Sequence, residues 1–277
     1  MLRKDRLNPS SPAKTSDTAE IDKFNALADE WWRPNGKFKV VHRFNACRVA
    51  YLIDELTSFA SEVREDISGS TTSDGASRPL GGLKIIDVGC GAGLVSEPLA
   101  AAGAEVFAID AAQRNIDIAA RHAHETGVEI RYENATPEQL GPEHTGAYDV
   151  AISLEVVEHV ADLSAFLASV ADLVRPGGRL IIGTLNRTPK SFALGIVGAE
   201  YVLQLLPRGT HDWRKFVKPS ELAEHLAPKH FEETTRVGVS MNPISWAWSI
   251  TTDDAVNYLV SFEKRAKIGQ LPEPATL

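Results

Sequence analysis

The stretch KIIDVGCGAG, residues 84–93, constrains the fold more than any other part of the chain. A short apolar run ends in Asp and opens into three alternating glycines, Gly89, Gly91 and Gly93. Glycine tolerates left-handed backbone and lets a ligand approach the main chain, so this is the signature of a strand running into a ligand-binding turn. The alternative is a plain strand-to-helix turn, which does not call for three glycines at alternate positions. Downstream the chain alternates strand and helix: AEVFAID, AQRNIDIAARHAHETG, VEIRYEN, YDVAISL, ADLSAFLASVADLVRPGG and RLIIGTLN. Such alternation predicts an α/β fold with a mostly parallel, Rossmann-like sheet and helices on both faces. Ligands of these sheets bind beyond the carboxyl ends of the strands.

The loop does not match a dinucleotide site. From Gly91 the chain reads GAGLVS, with Ser96 in place of the third glycine; from Gly89, Leu94 stands there. No G-K-[ST] is present for a nucleoside triphosphate. An adenosyl ligand without phosphates fits better, and S-adenosylmethionine is such a ligand. It needs an acid for its ribose diol, and Asp110 ends the second strand about twenty residues on. The competing role for Asp110 is to cap the following helix.

Charge and length narrow the partners. The 277 residues carry a formal charge of −8, and 43% are apolar. Only short basic clusters occur, which argues against nucleic acid as the main partner. Cys47 and Cys90 fit neither a disulfide framework nor a zinc finger. Residues 1–17 read as a polar, disordered tail, and no apolar run is long enough to cross a bilayer. A cytoplasmic protein is expected. Residues 18–62 are expected to form a helical cap broken at Arg33–Gly36, residues 63–82 a Ser/Gly-rich linker, residues 83–265 the strand-and-helix domain, and residues 266–277 a tail.

In order and spacing, DVGCGAG, VFAID, YDVAISLEVVEHV and LVRPGGRLIIGT resemble the class I S-adenosylmethionine-dependent methyltransferases. The resemblance covers about residues 80–185. It implies a seven-stranded sheet whose last strand is antiparallel, with the final two strands in FEETTRVGVS and NYLVSFEK, and Ser153 and Leu154 beside the cofactor. The flanks FNALADEWWRPNGKFKVVHRFNACRVAYL, TLNRTPKSFALGIVGAEYVLQLLPRGTHDWRKFVKPSEL, NPI and VNYLV extend the likeness to nearly the whole chain. They are similar to the O-methyltransferases of ubiquinone biosynthesis. That likeness implies methylation of a catechol hydroxyl on polyprenylated rings of the 2-polyprenyl-6-hydroxyphenol and 3-demethylubiquinol type. It implies Arg48, Gly89, Asp110 and Leu154 as cofactor residues, beside Gly91 and Gly93. It also implies partners among other ubiquinone biosynthesis proteins. Ala92 departs from the family, which often has a third consecutive glycine there.

LEVVEHV, residues 154–160, follows the fourth strand. If helical, it projects Glu155, Glu158 and His159 from one face. A phenol with a pKa near ~10 needs a base or a metal to ionise at neutral pH. The resemblance implies Mg²⁺ held by Glu155, Glu158 and His159; two carboxylates and an imidazole would also suit Zn²⁺ or Mn²⁺. Alternatively His159 is the general base with Glu155 orienting it, or the three are structural. E-x-x-E-H lies one substitution from the H-x-x-E-H of inverted zinc peptidases, but the glycine loop is foreign to those enzymes.

Finally, SFALGIVGAEYVLQLLP, residues 191–207, carries one charge, Glu200, within an apolar insertion at about 187–217. It is either a lid on the sheet or a contact with an anionic membrane surface, helped by Arg208, Arg214 and Lys215. The membrane contact would place the protein peripherally on the inner membrane. His211 is a second candidate base. Two further function classes stay open: an O-methyltransferase of a soluble small molecule, and a non-catalytic cofactor-binding subunit of a complex.

Overall fold

A computed structural model describes residues 31–32, 39–68, 78–194, 212–242 and 244–266. The expected tail 1–17, the first helical stretch before Trp31, most of the apolar segment 191–207, His211 and the tail 267–277 lie outside the described residues.

The apolar runs do become strands. β1 (Lys84–Val88), β2 (Glu105–Asp110), β3 (Arg131–Asn134), β4 (Tyr148–Leu154) and β5 (Val174–Leu185) pair in parallel. β8 (Asn257–Lys264) inserts antiparallel between β5 and β6 (Phe231–Met241). The sheet order is β3-β2-β1-β4-β5-β8-β6-β7. The sheet has eight strands instead of the expected seven: β7 (Trp248–Thr251) folds back on β6. It is four residues long, at the edge and half-exposed, so it has no buried apolar run to announce it. β5 also begins earlier than expected. The ladder pairs Tyr148 with Val174 and then Val150 with Arg179, so Pro-Gly-Gly bulges out within the strand.

Side chains alternate across the pleat. Ile85, Val150, Ile152 and Ile181 face one core, whereas Ile86, Ala151, Leu180 and Ile182 face the other. On the second side pack α4 (Leu163–Leu173), whose N-cap Asp162 accepts from the Ala165 N–H at 2.9 Å, and α5 (Pro219–Leu226). On the first side lie α1 (Lys39–Ser68), α2 (Ser96–Ala101) and part of α3 (Gln113–Thr126).

The N-terminal helix is thus present, and it shares the core of the sheet. Val49, Leu52, Leu56, Phe59, Ala60 and Val63 recur at helical spacing and are all buried. Each such side chain withdrawn from water contributes about 1.5–3 kcal/mol if large. α1 runs to Ser68, past the boundary expected at 62. Within the expected linker, Leu80 is fully buried and its N–H donates to the Ala102 carbonyl at 3.0 Å. The α1 end that carries Arg48 reaches the carboxyl ends of the strands, where Phe44 packs on Trp248 with ring centroids 4.6 Å apart.

Candidate active site

The glycine loop turns where β1 ends. Gly89, Gly91 and Gly93 all have positive φ, at 79°, 57° and 85°. The Gly89 and Cys90 N–H groups donate to the Ile109 carbonyl at 2.8 and 3.0 Å, pinning the loop to β2. A Cβ at Gly89 would lie 2.3 Å from Val156 Cγ2, and one at Gly93 would lie 2.4 Å from the Tyr132 hydroxyl. The glycines therefore serve close packing as well as turning. Beneath the loop, Ser96 donates to the buried Asp87 carboxylate at 2.6 Å, and burial pushes Asp87 up to about 6.

Asp110 closes β2 and holds the loop from below. One carboxylate oxygen accepts from the Gly91 N–H at 2.9 Å; the other accepts from the Ala112 N–H at 2.8 Å. Burial raises its pKa and these backbone donors oppose the rise. Asp110 is not itself the helix cap, which is Ala112. Asp110 braces the start of α3, and it also lines the cavity beside Gly89 and Gly91.

Across that cavity stand Arg48, Leu154, Glu155 and His159. Arg48, 4% exposed, donates to the Glu155 carboxylate at 2.7 Å and to the Asn45 side-chain carbonyl. Its guanidinium lies 3.9 Å from the centre of the Phe44 ring. Burial lowers its pKa, opposed by Glu155 and Glu158.

LEVVEHV is not helical. β4 ends at Leu154, Glu155 has a left-handed φ of 57°, and a turn follows in which the His159 N–H donates to the Val156 carbonyl at 2.8 Å. The common helical face expected for Glu155, Glu158 and His159 does not form. Glu155 turns to Arg48. Glu158 is buried, where the Thr184 hydroxyl donates to it at 2.7 Å. Burial, with Glu155's charge adding to it, pushes the Glu158 carboxyl up to about 8. His159 alone of the three combines a ring nitrogen with a place on the cavity wall. Among the described residues no three His, Cys, Asp or Glu side chains group as a metal would need. A carboxylate turned to Arg48 and a buried carboxyl turned to Thr184 do not converge as a divalent-cation ligand set in this arrangement.

Of the residues predicted for the cofactor, Arg48, Gly89, Gly91, Asp110 and Leu154 line one cavity, and Gly93 packs behind it. Trp31, Asn45 and Asn115 line it too. Trp31 and Asn45 fall within the N-terminal flank that carries the resemblance, but only Arg48 is singled out there; Asn115 lies in the helical stretch after β2. Trp32 donates its indole N–H to the Ala92 carbonyl at 2.9 Å and stacks on His122, whose ring nitrogen contacts Glu97 at 2.7 Å.

A family model described as a methyltransferase domain matches residues 86–182. The chain is 46% identical over 91% of its length to a ubiquinone biosynthesis O-methyltransferase of Cereibacter sphaeroides (strain ATCC 17029 / ATH 2.4.9), covering 98% of that protein. It is 47% identical over 89% of its length to the protein of the same name from Ruegeria pomeroyi, covering 96% of it. Among solved structures, the magnesium protoporphyrin IX methyltransferase of Synechocystis with bound S-adenosylhomocysteine superposes with a TM-score of 0.58. That pair shares 22% identity, with 90% of this chain and 99% of the other covered, so the likeness is one of fold.

Proposed function

This chain belongs to the ubiquinone biosynthesis O-methyltransferase family, and we propose that it moves a methyl group from S-adenosylmethionine to a catechol hydroxyl of polyprenylated ring intermediates. Substrates of the 2-polyprenyl-6-hydroxyphenol and 3-demethylubiquinol type fit that reading. The observation that carries it is the single cavity at the carboxyl ends of β1, β2 and β4. Its glycine loop and Asp110 suit an adenosine, its buried Arg48 suits an amino-acid carboxylate, and His159 stands on the wall beyond Leu154.

The bound sulfonium supplies an electrophilic methyl group; the chain's task is alignment and proton removal. Gly89 and Gly91 admit the ligand close to the backbone, Asp110 takes the ribose hydroxyls, and Arg48 takes the carboxylate. His159 is the proton acceptor for the phenol, since it lines the cavity whereas Glu158 is buried outside that lining and bound to the Thr184 hydroxyl. A divalent ion, Mg²⁺ first and Zn²⁺ or Mn²⁺ next, would draw on Glu155, Glu158 and His159. The turn after β4 does not bring them together as ligands.

Four large apolar side chains are exposed among the described residues: Phe192, Leu194, Ile244 and Trp246. Phe192 and Leu194 follow β5, and Ile244 and Trp246 form the β6–β7 turn, so all four lie at the carboxyl-end side of the sheet, the side on which the cavity opens. No described helix is long and apolar enough to cross a membrane. We infer a peripheral contact with an anionic bilayer on the cytoplasmic side, which would deliver a polyprenyl substrate to the cavity.

The test is methyl transfer from labelled S-adenosylmethionine to a short-chain catechol, before and after EDTA, with Mg²⁺ and Zn²⁺ add-back. Transfer to the catechol supports the reading, and its absence with intact cofactor binding overturns it. Full activity in EDTA leaves His159 as the base; loss restored by one ion assigns that ion.

A further inference from the structure

Arg48 sits between two claims on its charge. On one side it is ion-paired to Glu155, Nη1 to Oε1 at 2.7 Å. On the other it lines the cavity assigned above to the cofactor. Its Nε is buried and has no hydrogen-bond acceptor, although the residue is 4% exposed. A buried guanidinium N–H without an acceptor is costly, and a ligand oxygen would relieve it. Meanwhile Glu155 occupies a left-handed backbone position at the end of β4. Its backbone N–H donates to the Gly183 carbonyl at 2.8 Å, so the main chain is held where it is. The side chain is about a third exposed and can leave the pair without unfolding anything.

We propose that the carboxylate of the methionine moiety and the carboxylate of Glu155 compete for Arg48, so that cofactor binding releases Glu155 to the acceptor side of the cavity. This rests on the cofactor reading above. The physical basis is simple. One cation shared by two anions holds each less tightly than it would hold either alone, and the anions repel each other. Coupling of this kind is reciprocal: whatever Glu155 costs the ligand, the ligand costs the Arg48–Glu155 pair. The order of events follows. A catechol meets a free Glu155 beside His159 only after the methyl donor is seated. Glu155 then acts as a positioning residue toward His159 or the phenol, and before that it keeps Arg48 neutralised.

The experiment is calorimetric titration in EDTA-containing buffer with two ligands. S-adenosylhomocysteine carries the carboxylate; its decarboxylated analogue keeps the adenosine, sulfur and amine but lacks it. Glu155→Gln removes the competing charge and nearly preserves shape. It should bind S-adenosylhomocysteine tighter, on the order of several-fold to tenfold, and the decarboxylated analogue no tighter than wild type does. Arg48→Gln, which removes the cation, should bring the two ligands close to equal affinity. A merely structural role for Glu155 predicts that both ligands weaken together. Unchanged or weaker S-adenosylhomocysteine binding by Glu155→Gln, or an equal gain for both ligands, overturns the competition while the cavity assignment survives. If wild type binds neither ligand, the assignment and the competition both fail. Glu155→Ala is the second variant, and must shift the two ligands in the same directions as Gln.

Discussion

Trp32 donates its indole N–H to the carbonyl of Ala92 across sixty residues of chain, at 2.9 Å. Ala92 is the middle of the glycine loop and 1% exposed, and Trp31, Trp32 and Ile118 pack around it. The same indole stacks on His122 with ring centroids 3.4 Å apart and planes 7° apart. The loop is therefore clamped from outside by the N-terminal segment. Trp32→Phe keeps a stacked ring and loses the hydrogen bond, which is worth about 1 kcal/mol, so S-adenosylhomocysteine binding should weaken about fivefold. Trp32→Ala loses both and should weaken it further. Titration calorimetry measures this, and wild-type affinity in both variants would remove the clamp.

The glycines of the loop are not equivalent. Alanine at Gly91 meets nothing within 4 Å and carries only the strain of its positive φ, about 1–2 kcal/mol. Alanine at Gly89 carries that strain and drives its methyl to 2.3 Å from Val156 Cγ2. Gly89→Ala should abolish cofactor binding and lower the melting temperature more than Gly91→Ala does. Thermal unfolding of the two variants side by side decides it; an equal loss would contradict the packing account.

Glu158 makes stability depend on pH in an identifiable direction. Its carboxyl is raised from the usual carboxylate range to about 8 by burial first and by Glu155 second. A raised folded-state value means the contribution is fully present below the unfolded value near ~4.3 and is lost as pH rises through about 8. Wild-type stability should thus carry a declining component between about pH 5 and pH 8, which Glu158→Gln removes. Denaturant unfolding at several pH values gives both curves, and parallel curves would show that Glu158 is ionised in the folded protein.

Ile244 is 91% exposed at the tip of the β6–β7 turn, and solvation alone does not explain an isoleucine there. If the tip enters a bilayer interface, Ile244→Ser should lower partitioning onto anionic liposomes about tenfold, in keeping with the ~1.5–3 kcal/mol gained by burying such a side chain. Turnover of a short-chain, water-soluble catechol should stay at the wild-type level. Sedimentation with liposomes provides the measurement. Equal binding by both proteins would rule out this tip as a contact.

The parallel half of the fold was legible because its information is local. Each of β1, β2 and β4 is a buried apolar run followed by a residue type that a ligand site requires. β7 was not legible, because an edge strand of four half-exposed residues draws its stability from its partner β6. LEVVEHV misled for a related reason. Its spacing is helical, but the Glu155 N–H donates to Gly183 on β5, and that long-range bond sets a left-handed residue where the helix would begin. Arg48 was singled out by resemblance and does line the cavity, whereas its pairing with Glu155 joins residues 107 apart and no local pattern could announce it. The same holds for Trp32 and Ala92.

The long helix α1 makes the catalytic sheet a poor candidate for independent life. Leu52, Leu56 and Ala60 are completely shielded from solvent, and they share one core with Ile85, Val150 and Ile181 of the central strands. A shortened chain starting at residue 78 would keep every strand but lose Trp31, Asn45 and Arg48 from the cavity wall, and would uncover the apolar face that α1 now covers beside α2 and α3. Such a fragment should aggregate, even though the residues matched by the methyltransferase family model all lie within it. Transplanting or swapping this module therefore requires carrying α1 along, because the same helix completes both the core of the sheet and the wall of the cavity.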